Sequence, residues 1–232
     1  MGKYLKKFET VAQYTAAQPN LILPNVSLIT ETNSVAYNPT SPTPTYEYVD
    51  LGLPSGTLWA KWNVGATSET EYGNYYQYGK GADTYETTSG QSDYAGDEIP
   101  LAASADTATQ VWGSDWHMPT YDQMRELEST ANTIYTWETD FNGSGVNGGK
   151  FTSKTDPTKY IFIPASGQYD SMGSGQVISE RGSRAYSWTS TLEYVSMASA
   201  YYPQFILLRS DAAVYGSVLR ANGFPIRPVM DA

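Results

Sequence analysis

One stretch of this chain, "WHMPTYDQMRELESTA" from Trp116 to Ala131, carries a complete helix-start signal, and the residues after it read as short strands. Pro119 precedes the start, and Thr120 with Gln123 forms the Thr-x-x-Gln capping box. Met124, Leu127 and Ala131 then fall on one face. Beyond it come "TIYTWETDF", the turn-rich "NGSGVNGG", and the strands "KFTSK", "YIFIPAS", "YSWTST", "AYYPQFILL" and "RANGFPIRPV". In "YIFIP", Ile161 and Ile163 point one way and Phe162 the other, as in a strand buried on both faces. Strands, one good helix and many more strands exclude an alternating parallel α/β fold and leave an α+β or mostly β domain. The expected class is α+β.

The other strong punctuation is "PTSPTPT", Pro39 to Thr45, a stiff extended linker. It separates residues 1–38, a small module, from a large domain over 46–232. In the module, "KYLKKF" reads as a strand and "ETVAQYTAA" as a helix. "PNVSLI" and "SVAYNP" are β-rich runs around the turn-prone "TETN", so the module is expected to be α/β. In the large domain, residues 67 to about 111 have no sustained period and read as a long loop.

Composition removes several chemistries. The net charge is −10 and no Lys/Arg cluster is visible, which argues against nucleic acid and against an anionic membrane surface. There is no cysteine, hence no disulfide, thiolate nucleophile or Cys-ligated zinc. The start "MGKYLKKFETVAQY" has no apolar core of a secretory signal, so either synthesis in the cytoplasm or prior removal of a leader is expected. No run approaches a membrane helix. His117, the single histidine, has no Gly-x-Ser-x-Gly elbow beside it and reads as structural, and a hydrolase using it or the loop acids is the enzymatic alternative. Asp83, Glu86, Asp93, Asp97 and Glu98 match no calcium-loop spacing and read as solvated acids. No metal, cofactor or catalytic residue is expected.

Six stretches in order carry a resemblance. They are "YVDLGLPSGTLWAKWNVGA" (48–66), "WHMPTYDQMREL" (116–127), "GVNGGKFTSK" with "IFIPASG" (145–167), "YSWTST" (186–191), "AYYPQF" (200–205) and "RANGFPIRPV" (220–229). Together they resemble the family named for the major paralogous domain of Fibrobacter. The resemblance implies a C-type-lectin-like domain related to the formylglycine-generating-enzyme fold. Its relatives include variable proteins diversified by retroelements. Residues 1–38 resemble a module at the start of structural proteins of phages infecting Bacteroides-type bacteria. The cysteines of formylglycine generation and the calcium-lectin motifs are absent from the domain, so neither activity carries over.

The resemblance implies a non-enzymatic receptor-binding protein of a phage particle, displaying a Tyr-rich surface to a protein or glycan on the host cell. A homotrimer and contacts of residues 1–38 with other virion proteins belong to that reading. A bacterial surface or pilus-associated adhesin with a fixed surface is the alternative. Trp188, Phe205, Gly223, Phe224 and Arg227 are expected as scaffold. If Phe205 faces the core, strand alternation turns Tyr202, Ile206 and Leu208 outward. Arg184, Tyr194, Arg209, Asp211, Tyr215 and Leu219 extend that binding surface. Diversification at adenines would leave Glu193, Met197 and Gln204 fixed. Gly223 is expected to supply a backbone geometry other residues resist.

Overall fold

A computed structural model describes residues 46–85, 96–97, 101–170 and 177–232, together with the backbone of two strands before residue 46. The chain divides into two units, Met1–Thr45 and Tyr46–Ala232. In the first, β1 (Val26–Leu28) pairs antiparallel with β2 (Val35–Tyr37), Ser27 opposite Ala36. The strand expected at "KYLKKF", the helix at "ETVAQYTAA" and the linker Pro39–Thr45 lie outside the described residues.

The second unit closes on itself. β3 (Tyr48–Asp50) and β15 (Val229–Met230) flank β4 (Leu58–Ala60), so the unit's last strand pairs beside its first two. β6 (Thr133–Glu138), β7 (Gly148–Ser153) and β8 (Tyr160–Pro164) form an antiparallel meander. A Cβ on Gly148 would lie 2.3 Å from the Ile163 carbonyl, so the second strand of the meander needs glycine there. β5 (Tyr76–Gln77), β9 (Gln168–Tyr169), β10 (Ile178–Ser179) and β14 (Gly223–Phe224) make a small sheet in the order β10-β9-β14-β5. The longest strands, β11 (Ala185–Val195) and β12 (Ala200–Arg209), are joined by β13 (Ala212–Ser217).

The described residues hold two α-helices, each short. α1 (Thr107–Trp112) is capped by Asp106, whose carboxylate accepts from the Thr109 amide at 2.9 Å and, across a loop, from the Met118 amide at 2.9 Å. Burial pushes that carboxyl upward against the two amides that hold it down. α2 (Tyr121–Glu128) starts with the capping box Thr120–Gln123 and buries Met124 and Leu127. It ends at Glu128, three residues before Ala131, which is exposed.

These elements correct the expected class. The described chain is mostly β, in small antiparallel sheets with two short helices, and the α+β C-type-lectin-like assignment behind an α/β module is withdrawn. The stretch 67–111 is also more ordered than a loop, since β5 and α1 lie in it. Four of its tyrosines are core residues: Tyr75, Tyr76, Tyr78 and Tyr85 are buried. Part of the tyrosine content therefore builds the interior of this fold.

Two large apolar clusters fill the unit, beside a small third one of Tyr75, Tyr85 and Tyr169. One gathers Trp188, Phe224, Tyr76, Tyr78, Trp112 and Trp116, with Phe205 and Leu207 packed against it. The other gathers Trp59, Met124, Leu127, Phe151, Ile161 and Ile163 with Ile206 and Leu208. β12 thus feeds alternate side chains into two cores. Trp188 and Phe224 stack at 4.2 Å, and the Trp188 indole donates to the Tyr76 carbonyl at 2.8 Å. Gly223 does not adopt the left-handed region; a Cβ there would meet the Tyr85 ring at 2.5 Å, so close approach is what requires glycine.

Arg227 is fully buried. Its Nε donates to Asn63 Oδ1 at 2.8 Å, Nη1 to the Ala60 and Lys61 carbonyls at 3.1 and 2.7 Å, and Nη2 to the Phe162 carbonyl at 2.7 Å. One guanidinium so ties the end of β4 to β8. Burial pushes it down to about 9, still well above neutrality, so it remains charged inside the protein.

Three phenols are pushed the other way. Tyr215 and Tyr135 are raised chiefly by burial, then by Glu128 and Asp211 respectively, and Tyr186 is raised to about 12 by burial and then by Glu180. The folded state keeps these phenols protonated, whereas in the unfolded chain they ionise near pH 10. Their stabilisation is therefore complete below about pH 10 and falls as pH rises through the raised values. Melting temperatures at pH 8 to 11 should be flat to about pH 9.5 and drop beyond it, and Tyr215→Phe should blunt the drop. A curve of unchanged steepness in Tyr215→Phe would contradict this assignment.

Candidate functional site

The β11–β12 ribbon outgrows its sheet. β13 pairs with β12 only as far as Gln204, opposite Ser217. Register shifts between Trp188, opposite Phe205, and Leu192, opposite Pro203. In this irregular stretch the Ser190 amide turns away to the Pro119 carbonyl at 2.8 Å, while Thr189 Oγ1 donates to the Gln204 carbonyl at 3.0 Å. Beyond it the ribbon continues for four pairs, from Leu192–Pro203 to Val195–Ala200. A tight turn closes it, with the Ala198 amide on the Val195 carbonyl at 3.1 Å and Ser199 at φ 49°.

Tyr194 and Tyr201 face each other across this ribbon, their rings edge to face at 5.2 Å. Tyr194 is 54% exposed, Tyr201 38%, and Met197 in the turn 99%. Leu219, 39% exposed, arrives from the segment after β13, which is docked by the Val218 amide on the Pro203 carbonyl at 3.2 Å. Arg220 next to it donates to the Tyr201 carbonyl at 3.2 Å, to the Gly96 carbonyl at 2.8 Å and to Asp97 at 2.9 Å. Arg220 thereby joins three segments of the chain. Eight large hydrophobic residues are exposed among the described residues, and four of them lie on this ribbon end or on the segment docked beside it. Such a concentration makes this end of the ribbon the candidate contact surface.

The sequence-predicted residues do not form one surface. Tyr194 and Leu219 lie at the ribbon tip, and Tyr202, half-buried, pairs with Glu193 there. Ile206 and Leu208 are both 0% exposed. Their expected outward orientation is wrong because β12 is covered on both sides, so alternation sends one set to each core. Tyr215 is half-buried and donates from its hydroxyl to the Met124 carbonyl at 3.1 Å, with Glu128 at 3.2 Å and the Arg125 guanidinium over its ring. Arg209 and Asp211 pair with each other at 2.9 Å in the β12–β13 turn, at the other end of β12. Arg184 precedes β11 at that same end, where Ala185 meets Leu208, and pairs with Glu180. Eight residues separate Tyr201 from Arg209, about 27 Å of strand. Trp188, Phe224, Gly223 and Arg227 are buried, and Phe205 is partly buried against them.

Sequence reasoning misses Tyr201 and Met197. Strand alternation groups Tyr201 with Phe205 on the inner side, but the core stops at Pro203. The codon argument sets Met197 aside, although its place in "YVSMASA", a polar turn between two apolar strands, is the signal that could have found it.

The other chemistry is engaged elsewhere. The His117 ring contacts the Met118 carbonyl through Nδ1 at 2.9 Å and Asp231 through Nε2 at 3.3 Å, and its backbone bridges to Val229. Among the described residues no group of three or more His, Asp or Glu is placed to hold a metal ion. Asp97 is paired with Arg220, while Glu86, Asp93 and Glu98 lie outside the described residues. No helix of the described residues is long and apolar enough to cross a membrane. In comparison with known proteins, the chain matches no family model, no curated protein and no solved structure.

Proposed function

We propose that this chain is a non-enzymatic display protein that contacts a partner on a host cell surface through Tyr194, Met197, Tyr201 and Leu219. The observation that carries it is the exposure of Tyr194, Met197 and Tyr201 on a ribbon that continues past β13, with exposed Leu219 on the segment docked beside it. Burial of aromatic anchors and a flexible methionine supplies affinity without a metal. In this reading the tip belongs to a phage particle, and residues 1–45 join it to the assembly.

A second reading, a bacterial adhesin whose surface does not vary, is favoured by one observation. The nine residues expected to vary fall in the cores, at the tip and at the opposite turn, so varying them all would damage the fold. Both readings place the contact at the tip.

The test replaces Tyr194, Met197, Tyr201 and Leu219 together by serine. Binding of the fluorescently labelled full chain to bacterial cells, read by flow cytometry, should fall by at least about tenfold, the effect of losing a little over 1 kcal/mol. The melting temperature should move by no more than about 2 °C, as for surface changes. Unchanged cell binding would remove the tip from the function.

A further inference from the structure

Five of the chain's six arginines have their charge accounted for. Arg125 lies 3.5 Å from Glu128, Arg209 2.9 Å from Asp211 and Arg220 2.9 Å from Asp97, Arg184 pairs with Glu180, and Arg227 is buried among carbonyls. Arg181 differs. It is exposed, and no carboxylate of the described residues lies within ion-pair distance, in a chain with ten more acids than bases. The acids nearest in sequence are held elsewhere. Glu180 accepts from Gln168 and Tyr186 and pairs with Arg184. Glu71, beside Tyr72, accepts from the Thr67 amide at 2.6 Å and from its hydroxyl.

The guanidinium is nonetheless fixed in place. Its Cζ stands 4.8 Å from the centre of the Tyr72 ring and 5.9 Å from that of Tyr75. Nη2 donates to the Tyr75 hydroxyl at 3.1 Å, and that hydroxyl donates onward to the Ser166 carbonyl. Tyr75 in turn packs edge to face on Tyr169, which stacks on Tyr85. The backbone is fixed as well, because Gly167 leaves so little room that a Cβ there would sit 2.6 Å from the Arg181 amide nitrogen. One of five N–H donors is used, and four remain on a planar fork held by aromatic rings.

We infer that Arg181, with the partly exposed Tyr72 beside it, is a binding site for the carboxylate of an acidic sugar. A rigid guanidinium fork matches a carboxylate with two parallel hydrogen bonds. The tyrosine gives an apolar face for a sugar ring next to that charge. The overall charge selects the carrier. An acidic peptide brings many negative charges toward a chain of net charge −10, whereas a sugar acid brings one. The site is separate from the ribbon tip, since Arg181 precedes β11 and Tyr194 is near its end.

The full chain is titrated with sodium glucuronate while the arginine Nε–H resonances are followed by NMR, with glucose, acetate and hexaglutamate as parallel probes. A saturable shift of the Arg181 resonance with glucuronate and none with glucose is expected. Acetate should bind at least about fivefold more weakly, having no ring to pack on Tyr72. In a second experiment, glucuronate binding to Arg181→Gln and Arg181→Lys is followed through backbone amide shifts around Tyr72 and Gly182. Arg181→Gln should lose binding at an unchanged melting temperature, and Arg181→Lys should retain a weakened response because it lacks the fork. Equal response to glucose, or full binding in Arg181→Gln, overturns the site. Acetate as tight as glucuronate overturns the sugar, and tighter hexaglutamate assigns the site to a peptide instead.

Discussion

Replacing Arg227 by methionine is expected to lower the stability of the chain by about 3–5 kcal/mol, because it strips several buried acceptors of a charged donor at once. Methionine fills a similar volume, so the effect isolates the hydrogen bonds. Four acceptors lose their donor at once: the Ala60, Lys61 and Phe162 carbonyls and the Asn63 side chain. Each buried acceptor left unpaired costs about 1–3 kcal/mol, and relaxation or entering water recovers part of it. Lysine should rescue little, because a point charge cannot reach acceptors spread around a planar fork. Urea unfolding of the three proteins reads this directly. If Arg227→Met unfolds at the same urea concentration as the parent, the clamp is not what ties β4 to β8.

The second large effect lies on β12. Ile206→Ala and Leu208→Ala should each cost about 2–5 kcal/mol, the usual range for truncating a fully buried aliphatic side chain. At about 2–4 °C per kcal/mol for a domain of this size, each lowers the melting temperature by several degrees at least. The contrast with the ribbon tip is the point of the experiment. Four replacements at the tip should cost less stability than one on the buried half of the same strand. A melting temperature within about 2 °C of the parent for both alanine variants would place Ile206 and Leu208 outside the core.

Local signals in the sequence located local structure well. The capping box at Thr120 and Gln123 is formed, and Ile161, Phe162 and Ile163 are all buried on a strand covered on both faces. α1 escaped notice because six residues are too few to show a period, and its cap is held in place partly from afar: besides the Thr109 amide, Asp106 accepts from the Met118 amide, twelve residues on. The β12 pattern misled for a related reason. Alternation identifies two faces, but only tertiary packing decides whether one of them meets water. "QFILL" has the same period whether it borders one core or lies between two. The candidate site was legible only in part. Tyr194 and Leu219 were reached only as extensions of the surface expected around Tyr202, while Tyr201 and Met197 depended on where the ribbon leaves the sheet.

The placement of the second unit's first and last strands has a mechanical consequence. β3 and β15 each run antiparallel to β4, hence parallel to each other on its two sides. The start of β3 and the end of β15 therefore lie at opposite ends of that small sheet. Force drawing the unit's two ends apart would slide these strands along β4, loading their hydrogen bonds together in shear instead of opening them one by one.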